Sequence, residues 1–390
     1  MIYSLSMNYP GRSEKVKKSL LLLVLLISIS SALFAEGTLT MDYSLFNSVL
    51  RTRDAANELK WAAAVSGTAQ LAYKSSGNKN VKSEISLGLN YPNPLFAGTG
   101  QEYIYPLLSL DKAYIKARFP EFRLTAGKTR LSWGDGFVFN AGDILFDSVS
   151  AAVDLTSSEI RTDTAWLAAV NIPLGRFSFF EAIVLPPTDE LLEELTHTSA
   201  GGRIYTTLDS LKLETGYMYK GGDAAYHQFY AGLQGNIEAD WYITGALQLP
   251  ADGSSVTETL QDSFDITAGL FYLTQFDSVR TLSLRLESLI QPFENWSESS
   301  TADAQYGILL YPEISFTPSD TTSISVRSII SPIDGSAQIT AGGSWNVFQG
   351  FSLLGYLIGQ AGDSDDTFSW SNETENWTSL ACMIGIIYIY

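Results

Sequence analysis

Hydropathy in this chain repeats every two residues, and the repeat returns along almost its whole length. In "VKSEISLGLNY", Val81, Ser83, Ile85, Leu87, Leu89 and Tyr91 share one side, and Lys82, Glu84, Ser86, Gly88 and Asn90 share the other. That alternation marks a β-strand with one apolar and one polar face. It sets Leu211, Leu213, Tyr217 and Tyr219 against Lys212, Glu214 and Lys220, and Leu282, Leu284 and Leu286 against Ser283, Arg285 and Glu287. The sequence contains about 18 such segments, starting near residues 40, 62, 81, 109, 122, 163, 176, 200, 211, 227, 241, 264, 280, 305, 321, 336, 351 and 379. Each approaches the ~9–11 residues that a tilted strand needs to cross a bilayer. No stretch after residue 35 reaches the ~18 consecutive apolar residues of a helical span.

The gaps between segments carry a second period. Short ones such as "FPE" at 119–121, "PLG" at 173–175 and "PSD" at 318–320 alternate with long polar ones at 92–107, 133–162, 186–199, 250–262, 292–303 and 362–377. Tight turns on one rim and long loops on the other are what a membrane barrel requires. Aromatics gather beside the short gaps on the apolar face: Tyr73, Phe119, Phe122, Phe177, Trp241, Phe276, Phe316, Trp345 and Phe351. Amphipathic rings favour the headgroup level, so these positions predict an aromatic girdle on the short-turn side.

The N-terminus reads as an export signal. Lys17 and Lys18 precede an apolar core from Leu20 to Ile29 and small residues up to Ala35. This predicts a signal peptide over 1–35 and one β-barrel domain over 36–390. The formal charge of −18 argues against a nucleic-acid partner. A single cysteine, Cys382, excludes an internal disulfide framework.

The last segment, "TSLACMIGIIYIY", places Leu380, Cys382, Ile384, Ile386, Tyr388 and Tyr390 on one face and ends the chain on an aromatic residue. Here the sequence resembles bacterial outer-membrane β-barrel proteins, whose final strand alternates and ends in an aromatic residue. The resemblance implies an all-β, antiparallel, up-and-down transmembrane barrel of about 18 strands (range 16–18). It implies residence in the bacterial outer membrane and contact with its lipid. It also implies recognition of the C-terminal strand by the barrel-insertion machinery, with Tyr388 and Tyr390 joining the girdle. Assembly as a homo-oligomer is left open. Ile387 and Ile389 depart from the pattern, because they make the inner side of this strand apolar too.

A barrel of this width is too large for wall side chains alone to fill. Its inward positions would carry Lys82, Glu84, Lys112, Lys116, Arg118, Arg123, Arg203, Lys212, Glu214, Arg285, Glu287 and Arg327, in which bases outnumber acids. The third outer loop, counting the connection between the segments near 40 and 62 as the first, is unusual. "WGDGFVFNAGDILFDSVSAAVDLTSSEIR" holds two apolar triplets, 137–139 and 144–146, among Asp135, Asp143 and Asp147. Apolar triplets are costly in water, so the segment is expected to pack somewhere, and the lumen offers the space. The porin family uses its third loop as such a constriction, and "GKTRLSWGDGFVFNAGDIL" resembles a Trp-Gly-x-Gly…Asp segment of porin-like families. By that resemblance Asp135, Asp143 and Asp147 would face Lys112, Lys116, Arg118 and Arg123 across a narrow pore. A surface-packed loop or an extra hairpin is the alternative.

Other motifs are weaker. "AGKT" at 126–129 lacks the first glycine of a phosphate loop, since Phe122 stands there, and "DSDD" at 363–366 lacks the glycine and distal glutamate of a calcium loop. The sequence therefore predicts no cofactor and no metal. The two histidines, His197 and His227, lie in no nucleophile motif, which argues against an enzyme. The function expected is a porin-like channel for passive or substrate-selective diffusion of small polar solutes. The alternatives are a structural or surface-interaction barrel and a transporter of hydrophobic solutes.

Overall fold

The computed structural model describes residues 37–53, 59–75, 79–91, 108–187, 195–251, 264–292, 307–363, 366–368 and 378–390. The expected signal peptide, the acidic run at 189–194 and most of the acidic loop at 364–377 lie outside them. The strands are β1 Gly37–Arg53, β2 Leu59–Ser75, β3 Val81–Tyr91, β4 Ser109–Arg118, β5 Arg123–Thr129 and β6 Ala165–Pro173. They continue with β7 Ser178–Leu185, β8 Ser199–Leu208, β9 Leu211–Lys220, β10 Tyr226–Ile237, β11 Ala239–Pro250 and β12 Phe264–Gln275. The last six are β13 Thr281–Ile290, β14 Ile308–Ser319, β15 Thr322–Ser331, β16 Ser336–Phe348, β17 Phe351–Ala361 and β18 Thr378–Ile389. The starts expected from periodicity fall within about three residues of these strands.

Every strand pairs antiparallel with its sequence neighbours, and β1 also pairs with β18, so the 18-stranded sheet closes on itself. At the seam Leu45 opposes Ile386 on one side and Gly67 on the other. The final Tyr390 exchanges two backbone bonds of 2.9 Å with Met41. The apolar end of the chain is thus the strand that removes both free edges, which would otherwise leave unpaired backbone groups in lipid.

Pairing fixes the faces. Leu45, Val49, Ile115, Leu270, Leu286, Ile314, Val326, Leu357 and Ile384 all point out and stay exposed, as a surface meeting hydrocarbon does. Phe119, Phe276, Trp345, Tyr388 and Tyr390 stand exposed beside the short turns. Tyr73 and Trp241 lie on the same rim, where Trp241 covers the surface left bare by Gly235. Cys382 is exposed on the outward face of β18. A nitroxide attached there should collide more often with oxygen than with a water-soluble nickel chelate. The reverse ranking would place this face in water.

Candidate functional site

The site is the third long-side connection, residues 130–164 between β5 and β6. It leaves the wall and folds inward. Two glycines allow the departure: Gly134 and Gly136 have φ of 67° and 132°, where side chains are strained. Gly134 also lies against Gly142, and a Cβ on Gly134 would stand 2.6 Å from the Gly142 Cα. The Trp-Gly-x-Gly and Asn-Ala-Gly stretches therefore press backbone to backbone.

The apolar triplets find apolar partners on the inner wall. Trp133, Ile144 and Leu145 pack with Leu167, Ala169, Ile183, Met218 and Tyr230 of β6, β7, β9 and β10. Val138, Phe139 and Leu155 pack with Leu289, Leu309, Tyr311 and Ile329 of β13–β15 and with Phe368. Full burial of each such side chain is worth ~1.5–3 kcal/mol, so these two clusters are the main reason the segment stays inside. They sit on opposite flanks of an arc running from β6 to β15, and the loop spans the lumen between them.

Wall charges hold the loop's backbone. Glu287, 2% exposed, accepts the N–H groups of Phe137, Val138 and Phe139 at 2.8, 2.7 and 3.2 Å. Arg203 bonds Glu181 and Glu214 at 2.8 Å each and donates to the Ser132 carbonyl at 3.2 Å. Those two acids in turn accept from the Trp133 indole at 3.0 Å and from the Gly134 N–H at 3.1 Å. Arg327 binds Glu313 at 3.0 Å and the carbonyls of Leu155 and Ser157 at 3.2 and 2.7 Å. Arg285 lies between Glu287 and Glu313, at 3.6 and 3.5 Å, with Phe137 stacked on its guanidinium. Charge-assisted bonds of this kind are the stronger class, and each also satisfies a loop group that would be costly to bury alone.

The aspartates take partners other than the expected ones. Asp143 is fully buried, pairs with Arg130 and accepts the Ser148 hydroxyl at 2.7 Å. Burial pushes its carboxyl above the usual range, and the Ser148 bond and Arg130 offset part of the rise. Asp147 accepts from Gln228 at 2.9 Å and lies 3.6 Å from the Lys220 ammonium. Asp135 is also raised, by burial first and then by the Glu214 charge beside it. The contacts of Asp143 and Asp147 are thus to Arg130, Lys220 and Gln228, and not to the expected Lys112, Lys116, Arg118 and Arg123. The triplets need apolar wall, which lies along β6–β15, so they pack there, while the end of the loop returns to β4 through the Thr164 hydroxyl on the Asp111 carbonyl at 2.7 Å. Arg203, Glu214, Arg285, Glu287 and Arg327, expected on the lumen wall, point inward and hold the loop, Arg285 through its stacked contact with Phe137.

The remaining wall residues expected to line the lumen lie on the inner face near the short-turn rim. Lys82 opposes Lys116, and Arg118 opposes Arg123, across neighbouring strands. Lys112 lies higher on β4, opposite Ser86. Glu84 accepts the Tyr114 hydroxyl at 2.7 Å and lies 3.9 Å from Lys74, and Lys212 donates to Gln234 at 2.8 Å. Among the described residues, none of Lys82, Lys112, Lys116, Arg118 and Arg123 has a carboxylate within ion-pair distance. The hydrogen bonds and apolar contacts of residues 133–160 run to β6–β15 and to Phe368 between β17 and β18, which leaves this basic arc uncovered by them.

No protein-family model matches the chain, and no curated protein sequence does either. Solved structures do. Wzi, an outer-membrane protein involved in group 1 capsule assembly in Escherichia coli and described as a carbohydrate-binding β-barrel, has a TM-score of 0.56 at 13% identity. That alignment covers 94% of this chain and 87% of Wzi. OccAB4 of Acinetobacter baumannii has a TM-score of 0.54 at 12% identity, covering 91% of this chain and 98% of its own. OccAB3 from the same organism has a TM-score of 0.51 at 10% identity, covering 90% and 99%. Identities this low show the shared fold. With the outward apolar band and closed sheet, they define the class by its fold: a closed 18-stranded antiparallel β-barrel like those of outer-membrane porins.

Proposed function

We propose that this barrel is a narrow diffusion channel for small polar solutes, with preference for anions. Its path runs between the inner loop and the half of the wall formed by β16–β18 and β1–β5. The carrying observation is the basic arc. Lys82 opposite Lys116 and Arg118 opposite Arg123 are like charges placed directly across strands, an arrangement that destabilises a sheet. A wall kept for structure alone gains nothing from it. Water and passing anions relieve the repulsion, and cations that are not matched by acids favour negative solutes at close range.

Purified barrel in planar bilayers should give discrete single-channel steps. In a salt gradient the reversal potential should show anion preference, fading as salt rises and screening shortens. Inserted but silent protein would overturn the channel and favour a surface-interaction barrel. Currents with cation preference would overturn the role given to the arc.

A further inference from the structure

We propose that a calcium ion binds between the inner loop and the wall of β10–β12 and pins the loop there. A recess of about 60 Å³ lies at this junction. Asn140, Asp147 and Ser148 line it from the loop, and Gln228, Gln248 and Asp265 from the wall. Such a volume holds an ion and one or two waters.

The polar lining is rich in acceptors. Gln228 Nε2 donates to Asp147 Oδ1 at 2.9 Å and to Gln248 Oε1 at 3.3 Å. Two acceptors on that nitrogen fix the amide's orientation, which leaves Oε1 as the free atom. Gln228 is only 7% exposed, and this oxygen has no hydrogen-bond partner. The Ser148 hydroxyl is engaged on both sides, donating to Asp143 and accepting from the Arg130 guanidinium at 3.0 Å, and the Asn140 amide donates to the Trp133 carbonyl. Asp265 receives one donor, Gln291 Nε2 at 2.9 Å on Oδ1. The Lys220 ammonium stands 3.6 Å from Asp147 and also donates to the Leu145 carbonyl. That ammonium pairs with Asp147, whereas Asp265 has no ion-pair partner among the described residues and the Gln228 carbonyl is a buried orphan.

A cation closes that deficit, and the donors select which. They are all oxygens of carboxylate and amide type. Among the described residues no three His, Cys, Asp or Glu converge, so softer metals lack ligands. Calcium accepts six to eight oxygens in irregular geometry, whereas magnesium demands a strict octahedron. With two carboxylates and a competing ammonium, the affinity belongs near the ~0.1–1 mM of extracellular calcium modules. The bound ion would bridge Asp147 of the loop to Gln228, Gln248 and Asp265 of the wall. The site stands whether or not the pore conducts.

The test is calcium binding to the full folded barrel in detergent, by calorimetry and by displacement of luminescent terbium. One saturable site in the ~0.1–1 mM range is expected. Asp265→Asn should weaken it at least ~10-fold, the usual scale for disturbing a metal's immediate surroundings. Calcium should also raise the melting temperature of wild type and not that of the variant. Heat-modifiable gel migration verifies folding. Should Asp265→Asn fail to fold, Gln248→Met provides the same comparison. Asp363→Asn with Asp366→Asn, in the outer acidic loop, should bind as wild type. Absence of saturable binding up to ~10 mM overturns the proposal. So does wild-type affinity in a folded Asp265→Asn barrel, or loss of binding in the outer-loop variant.

Discussion

Glu287→Ala should release the inner loop and destabilise the barrel by about 3–5 kcal/mol. The reason is the geometry of one carboxylate. It takes three successive backbone N–H groups, from Phe137, Val138 and Phe139, in a place with almost no water. Its removal orphans all three, and each buried orphan costs ~1–3 kcal/mol. Arg285 keeps Glu313 at 3.5 Å but loses its other carboxylate. Loop relaxation and entering water return part of the cost, which is why the expectation lies in the lower part of the range given by the simple sum. The apolar cluster behind 138–139 is joined to this anchor, so detachment should be cooperative over Phe137 to Leu155. In bilayers the variant should pass larger and noisier currents than wild type, because the freed segment no longer fills a fixed part of the lumen. Glu287→Gln keeps one acceptor oxygen and should fall between the two. The unfolding temperature on heat-modifiability gels and the single-channel current are the two readouts. Unchanged values in Glu287→Ala would mean that the triplets hold the loop without this anchor.

The wall and the loop were not equally legible in the sequence. Strand positions follow from period two and the short–long alternation of the gaps, because both are local. Each of the 18 expected starts lies close to a strand, and the terminal "IIYIY" run is accounted for as the closing edge. Entry of residues 133–161 into the lumen was also foreseeable, since six large apolar residues in a supposed outer loop need cover. The wall partners of the loop were not. Which strand lies opposite which depends on barrel closure and stagger, and no local pattern encodes that. Two signals nevertheless pointed to the receiving wall. Several strands are apolar on both faces near their long-loop ends, as in "ESLI" with Leu289, "ILLY" with Leu309 and Tyr311, and "RSII" with Ile329. A strand facing lipid on one side and water on the other has no use for that. The second signal was a lone acid in an apolar run: Glu181 in "SFFEAIVL" and Glu313 in "LLYPEIS". Both turn out to hold the arginines that anchor the loop. Arg130 was missed because it lies just past the end of β5, where the strand pattern has stopped.

Charge reversal of the basic arc should have the largest effect on selectivity. Replacing Lys82, Lys116, Arg118 and Arg123 together with glutamate keeps four like charges in the same cross-strand places, Lys82 opposite Lys116 and Arg118 opposite Arg123. The structural cost is therefore of similar size before and after, about 0.2–1 kcal/mol per pair, and folding should survive. The field along the path changes sign. At an effective dielectric near 20, one unit charge ~6 Å from a passing ion contributes roughly 3 kcal/mol before screening. Physiological salt, with its ~8 Å Debye length, reduces that, and four charges acting together restore several-fold discrimination. The reversal potential in a salt gradient should move from anion-preferring to cation-preferring. Arg203 and Arg327 give a control of the opposite kind. Glutamate at either position should disrupt the loop and lower stability, because each is bound to loop carbonyls and wall acids. If the fourfold variant folds and its reversal potential stays where the wild type's lies, the ions take another route through the barrel, and the arc has no part in selection.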